Sequence, residues 1–219
     1  MSKSKTANAF SPLALYNLVS AAGWAYILYT VIAWYPALGQ PEFYYKTKNI
    51  VILIQCGAVI EILNSALGIV RSPIVTTAAQ VLSRLLVVIG IFQLLPETPA
   101  TGSLAYVTLL TAWSITEVVR YLFYFFTLSF KAGPPTILLL LRYNLFWVLY
   151  PTGVASELTL IYSSLPIAEL KYSVYAKYGL IFSMLTYLPG LPMLFSHMVV
   201  QRRKVMKSLR DGKISQKKD

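Results

Sequence analysis

Six apolar stretches, each near the ~20 residues a helix needs to cross a bilayer, fill most of this chain. They run roughly over Leu13–Leu38, Asn49–Val70, Ile74–Leu95, Ser103–Phe130, Pro135–Leu160 and Val174–Val200. Turn chemistry separates them: Gly39-Gln40-Pro41, Arg71-Ser72-Pro73, Pro96-Glu97-Thr98-Pro99, Lys131-Ala132-Gly133-Pro134-Pro135 and Ser163-Ser164-Leu165-Pro166. Such short connections make consecutive helices antiparallel neighbours. Of the 219 residues 57% are hydrophobic and 12% charged, about half the charge of a soluble domain. The expected fold is all-α: a polytopic membrane protein of about six transmembrane helices around a polar intramembrane pocket. One transmembrane domain is expected over 13–200, with an N-terminal tail over 1–12 and a basic tail over 201–219. The first stretch is too long for the apolar part of a cleavable signal and is expected to stay as the first helix.

Net charge is +11, most of it in the last nineteen residues. A basic flank beside a span is the ordinary topology signal, so nucleic acid is not an expected partner. With the N-terminus in the cytosol, that side holds Lys3, Lys5, Arg71, Lys131, Arg202, Arg203, Lys204, Lys207, Arg210, Lys213, Lys217 and Lys218. The opposite side holds Lys46, Lys48, Lys171 and Lys177. Twelve against four places both termini in the cytosol.

Inside the apolar stretches sit three arginines and three glutamates: Arg84, Arg120, Arg142, Glu61, Glu117 and Glu157. A charge at bilayer depth costs a few kcal/mol or more, so such residues face a protein interior and mark a functional site. Helical spacing groups them with other polar side chains. Gly57, Glu61, Asn64, Ser65 and Gly68 share a face, as do Gln80, Ser83 and Arg84. So do Trp113, Glu117, Arg120, Tyr121 and Tyr124, and then Tyr143, Tyr150 and Glu157, with Arg142 and Asn144 alongside. Four consecutive spans thus carry a polar stripe, and the simplest arrangement points all four inward. Small and polar residues also serve helix packing without chemistry. Glu117 and Arg120, at i,i+3, fit a structural ion pair as well as a site.

Several chemistries lack their residues. His197 is the only histidine, and the only cysteine is Cys56, so neither a metal site of several His or Cys ligands nor an intramolecular disulfide is available. A Cys-x5-Arg phosphatase loop fails because the sixth residue after Cys56 is Ile62. Neither a Gly-x-Gly-x-x-Gly nor a phosphate-binding loop occurs.

The run Trp113-Ser114-Ile115-Thr116-Glu117-Val118-Val119-Arg120-Tyr121-Leu122-Phe123-Tyr124 is followed by Leu141-Arg142-Tyr143, by Leu149-Tyr150-Pro151-Thr152-Gly153 and by Ser156-Glu157. With Gln80-Val81-Leu82-Ser83-Arg84, these resemble the signature of the very-long-chain (3R)-3-hydroxyacyl-CoA dehydratases, a family once called protein-tyrosine-phosphatase-like, and the chain resembles a fungal member. The resemblance implies a six-span enzyme of the endoplasmic reticulum. It would turn 3-hydroxyacyl-CoA into trans-2-enoyl-CoA in the third step of fatty-acid elongation, supplying sphingolipid precursors among other products. It maps the catalytic pair onto Tyr150 and Glu157. It also implies membrane lipid and the elongase, ketoacyl reductase and enoyl reductase of the cycle as partners. The last residues, Gln216-Lys217-Lys218-Asp219, match a dilysine retrieval signal only in degenerate form and read as a plain basic tail.

That chemistry suits the residues. Loss of water across C2–C3 needs a base for the C2 proton and an acid for the departing hydroxyl. A glutamate and a tyrosine supply both, with no metal or redox cofactor, and their division of roles stays open. Arg142, Arg84, Arg120, Glu117, Tyr143 and Gln80 are the candidate substrate-binding residues. Pairing with Glu117 and Glu61 uses up two of the three arginines and leaves one to be completed by substrate, through the thioester carbonyl or a CoA phosphate. Arg142, on the helix of Tyr150, is the first choice. The polyanionic CoA is expected at the cytosolic face, near Lys131, Arg202 and Arg203, and Glu157 near the far end of its helix. Seven residues put Tyr150 and Glu157 ~10 Å apart along a helix, so a kink at Pro151 and Gly153 is expected between them. The competing class is a transporter or a non-catalytic scaffold, since intramembrane Glu/Arg pairs also form proton relays.

Overall fold

A computed structural model describes residues 8–70 and 72–211 of the protein. Lys3, Lys5, Arg71, Lys213, Lys217 and Lys218, which entered the charge count and the tail reading, lie outside the described residues. The elements are α1 (Pro12–Ala33), α2 (Tyr35–Leu38), α3 (Glu42–Cys56), α4 (Val59–Ala66), α5 (Ile74–Leu85), a π-helical segment (Leu86–Gln93), a 3-10 turn (Pro99–Gly102), α6 (Leu104–Ser129), α7 (Thr136–Asn144), α8 (Phe146–Lys171) and α9 (Val174–Arg210). Serines open three of the long helices. Ser11, Ser103 and Ser173 accept from the amides of Ala14, Ala105 and Ala176, satisfying donors that a helix start leaves unpaired.

The fold is all-α among the described residues, and it is that of a membrane protein. Four helical stretches are long and apolar enough to cross: Pro12–Leu38, Glu42–Ala66, Ile74–Gln93 and Val174–Arg210. A fifth forms if α7 and α8, bent by 48°, count as one span. α6 has the length, 26 residues or ~39 Å, but not the apolarity. It is the helix against which α1, α7 and α8 pack. Protein surrounds it, so it carries Trp113, Ser114, Glu117 and Tyr121 buried along its length. The six expected spans thus resolve into five apolar ones and a polar central helix.

The core runs along α6. Trp113 meets Trp24 of α1 edge to face, 6.2 Å between centroids. Toward the start of α6, Phe43, Tyr44, Phe92 and Tyr106 interlock edge to face. Thr47 and the Tyr106 hydroxyl bond at 2.9 Å, so that cluster buries its polar atoms in pairs. At Gly68, just past α4, φ is +67°, a conformation that disfavours any side chain, and its amide closes the helix on the Ser65 carbonyl.

Four features differ from expectation. The turn expected over Ser163–Pro166 is helical, and α8 continues to Lys171. The hydroxyls of Ser163 and Ser164 bond back to the carbonyls of Leu160 and Ile161, at 3.1 and 2.7 Å, and keep that turn satisfied around Pro166. The connection falls instead at Tyr172–Ser173. The helix is not unwound at Pro151–Gly153: both lie within α8, and the break comes at Leu145. Residues 201–210, read as tail, continue α9, and Lys46 and Lys48, read as loop, lie in α3.

Candidate active site

Ion pairs cross the middle of the bundle. Glu117, 2% exposed on α6, takes Arg84 of α5 on one oxygen and Arg120 on the other, the latter through Nε at 2.7 Å. Arg120 also reaches Glu61 of α4 with both terminal nitrogens, at 2.9 and 2.7 Å. Tyr121 donates to the same Glu61 oxygen, and Tyr16 of α1 stands 3.4 Å from it. Four helices are thereby tied by a chain of charge-assisted bonds, the geometry a buried ion pair needs to repay its desolvation.

Glu157 continues the polar line but not the pairing. It is 8% exposed, twelfth of the 26 residues of α8 and so near the helix middle, not the far end expected when α8 was read as stopping at Leu160. The Trp113 Nε1–H donates to its Oε1 at 2.8 Å, and the Tyr187 hydroxyl of α9 donates to its Oε2 at 2.6 Å. Arg84, whose guanidinium lies 5.2 Å from the Trp113 ring, is near enough to feel the Glu157 charge. No cation is within ion-pair distance of it among the described residues. Every other described glutamate has one: Glu42 with Lys46, Glu61 with Arg120, Glu97 with Lys171, Glu117 with both arginines, Glu169 with Lys177. Two neutral donors hold the carboxylate in place, while the remaining lone pairs stay open to a proton.

Tyr150 lies two turns before Glu157 on the same face of α8, half-buried, its ring 6.2 Å from Phe195. It is close enough to sense the Glu157 charge, and its hydroxyl makes no hydrogen bond among the described residues. A phenol with its proton uncommitted and a carboxylate with no counter-cation therefore share a buried helix face, which provides one acid and one base.

The other sequence candidates divide. Arg84, Arg120 and Glu117 belong to the network. Arg142 does not: it has no acid partner among the described residues, its Nη2 donates to Tyr124 at 3.0 Å, and Tyr143 lies beside its guanidinium at 5.7 Å. Gln80 is exposed on α5, and its backbone carbonyl, not its side chain, accepts the Ser83 hydroxyl. Of the expected CoA-facing cations, Arg202 donates to Asn144 at 2.9 Å, while Lys131 and Arg203 are exposed. Sequence reasoning missed Tyr187 and Tyr16. The chain has sixteen tyrosines, and nothing in spacing singles out these two.

This is a helical membrane protein whose polar line runs from an ion-pair network to the buried Glu157 and the half-buried Tyr150. Residues 55–208 match the family described as "Protein tyrosine phosphatase-like protein, PTPLA", and the chain belongs to that family. It is 38% identical over 208 residues to the very-long-chain (3R)-3-hydroxyacyl-CoA dehydratase hpo-8 of Caenorhabditis elegans, covering 89% of this chain and 94% of that one. It is 37% identical over 214 residues to very-long-chain (3R)-3-hydroxyacyl-CoA dehydratase 2 of Mus musculus, covering 92% and 83%. A probable very-long-chain (3R)-3-hydroxyacyl-CoA dehydratase of Schizosaccharomyces pombe is 37% identical over 199 residues, covering 89% and 92%. No solved structure matches the chain.

Proposed function

We propose that this protein is a very-long-chain (3R)-3-hydroxyacyl-CoA dehydratase, a hydro-lyase that forms trans-2-enoyl-CoA and water. The observation that carries the chemistry is Glu157: a buried carboxylate with two neutral donors and no cation, on one helix face with an uncommitted phenol. Glu157 takes the C2 proton. The electron pair of that C–H bond becomes the C2=C3 π bond as the C3–O bond breaks. Tyr150 gives its proton to the departing hydroxyl, and water leaves. A proton then returns from Glu157 to the Tyr150 oxygen and resets both groups. The guanidinium of Arg84, held by Glu117 and facing Trp113, favours negative charge developing on the thioester oxygen. The elimination is redox-neutral, so the two side chains balance it.

Tyr150 and Glu157 stand ~10 Å apart in axial rise on one unbroken helix, so both side chains must lean toward the substrate from that face. A helical Glu157 leans toward its N-terminus, which is the direction of Tyr150. The acyl chain lies among the apolar helices, and the water-soluble CoA stays at the cytosolic end. Both termini face the cytosol, the membrane is that of the endoplasmic reticulum, and the partners are the other elongation enzymes. The excess of lysine and arginine at one end and the family relationship support this placement.

A scaffold or transporter is served by the ion-pair network alone and has no use for an acid and a phenol in register. Purified protein in lipid nanodiscs, given a long-chain (3R)-3-hydroxyacyl-CoA, should yield the trans-2-enoyl-CoA. Absence of that product from a folded preparation would leave the scaffold reading standing.

A further inference from the structure

The geometry points to a phosphate-binding site at Arg142 that takes the CoA diphosphate, an assignment that rests on the dehydratase reading. Arg142 closes α7, three residues before the break at Leu145. Its guanidinium carbon lies 4.3 Å from the centre of the Phe123 ring and 4.6 Å from that of Tyr124. These aromatic walls fix the plane of the cation. Nη2 is bonded to the Tyr124 hydroxyl, while Nη1 is enclosed and has no acceptor among the described residues. The other two intramembrane arginines each have a carboxylate partner. Arg142 is thus an oriented, half-buried cation with one enclosed donor unmet. A guanidinium presents its N–H groups as a planar fork that matches two phosphate oxygens. Arg202 adds positive charge at the same end of α7, bonded to Asn144.

The position fits one part of the substrate. Trp113, which holds Glu157, and Tyr124, which holds Arg142, are both on α6. Eleven residues of helix separate them, about 16 Å at 1.5 Å per residue. In an acyl-CoA about thirteen bonds join the thioester sulfur to the first phosphorus, roughly 15 Å when extended, on the spacing of an extended chain. A thioester at Glu157 therefore brings the diphosphate to Arg142 along one straight pantetheine arm. The thioester carbonyl, the other acceptor Arg142 could have served, is needed a helix-half away.

The test compares a 3-hydroxyacyl-CoA with the matching 3-hydroxyacyl-pantetheine, which has the same acyl group and thioester and no phosphate. Wild type, Arg142→Lys and Arg142→Ala are assayed in nanodiscs of neutral lipid. Wild type should prefer the CoA thioester in kcat/KM by about tenfold or more, the usual weight of a hydrogen bond to a charged group. That preference should collapse toward unity in Arg142→Ala and fall partway in Arg142→Lys. If Arg142→Ala does not fold, the lysine variant carries the same comparison. An unchanged preference in the variants overturns the assignment. Equal losses on both thioesters also overturn it and make Arg142 a structural residue. Equilibrium dialysis of free CoA separates this site from the dehydratase reading: Arg142-dependent CoA binding without turnover supports the site while the activity fails. Anionic lipid in the nanodiscs distinguishes a lipid phosphate. Arg142-dependent binding of an anionic lipid by a wild type that shows no CoA preference in neutral lipid assigns Arg142 to a headgroup and refutes the CoA site.

Discussion

Glu157 stands out by subtraction. The described glutamates at the membrane ends pair with lysines, Glu61 and Glu117 pair with arginines, and Glu157 alone is left to neutral donors. The Trp113 N–H and the Tyr187 O–H orient it without neutralising it. Tyr187→Phe keeps the ring and its packing and removes one bond to a charged group, an effect of about 10- to 10²-fold. The expected outcome is a fall of that size in kcat with KM and melting temperature held. Tyr150→Phe should lose ~10²-fold or more, the usual weight of a general acid. A Tyr187→Phe enzyme with wild-type kcat would remove that tyrosine from the site. Glu157 and the arginines were legible in sequence because charge is rare in an apolar run, while Tyr150 was singled out through the family resemblance. Tyr187 was not, since a tyrosine in such a run is ordinary, and only the approach of α9 to α8 gives it a partner.

Three of the six intramembrane charges sit where helices are irregular. Glu61 follows the break between α3 and α4, Arg84 precedes the π-helical segment, and Arg142 precedes the break at Leu145. Irregular backbone at membrane depth survives only where protein or water covers it, and π-helical turns are frequent at functional sites. Proline and glycine marked the true turns at Gly39–Pro41 and Pro96–Pro99, because there they coincide with the ends of apolar runs. They misled at Pro166, where no turn forms, and at Pro151 they do not end the helix: α8 runs unbroken through both. At Gly153 an added Cβ would stand 3.7 Å from the Ala112 Cβ, an ordinary contact. Gly153→Ala should therefore keep activity and raise stability by up to ~1 kcal/mol through helix propensity. Gly153→Leu should push α8 from α6, part Glu157 from Trp113 and lower turnover by tenfold or more. Melting curves and kcat on both variants test the pair, and an active leucine variant would show that this helix contact is dispensable.

Across the whole molecule, one polar helix is wrapped by apolar ones. The all-α membrane class was readable from hydropathy, whereas the six expected spans exceed the four or five stretches that are apolar enough to cross. The centrality of α6 was not readable, because its tyrosines and charges lower the very signal used to find spans. Lys171 bonds Glu97, and Lys177 bonds Glu169, gathering at one end two of the four lysines assigned to the far side of the membrane. Glycosylation tags at either terminus should stay unmodified, while a tag within Pro96–Pro99 should be modified. A glycosylated C-terminal tag would overturn the orientation.

Turnover by Glu157→Gln, set beside Glu117→Gln, decides between the acid that works and the acid that holds. Glu117 is buried against two arginines, and removing its charge should cost ~3–5 kcal/mol of stability. Glu157 has no such partner, so Glu157→Gln should melt with wild type. Its dehydration of (3R)-3-hydroxyacyl-CoA in nanodiscs should nonetheless fall by ~10²-fold or more. A folded Glu157→Gln enzyme that makes enoyl-CoA at the wild-type rate would contradict the assignment of Glu157 as the base.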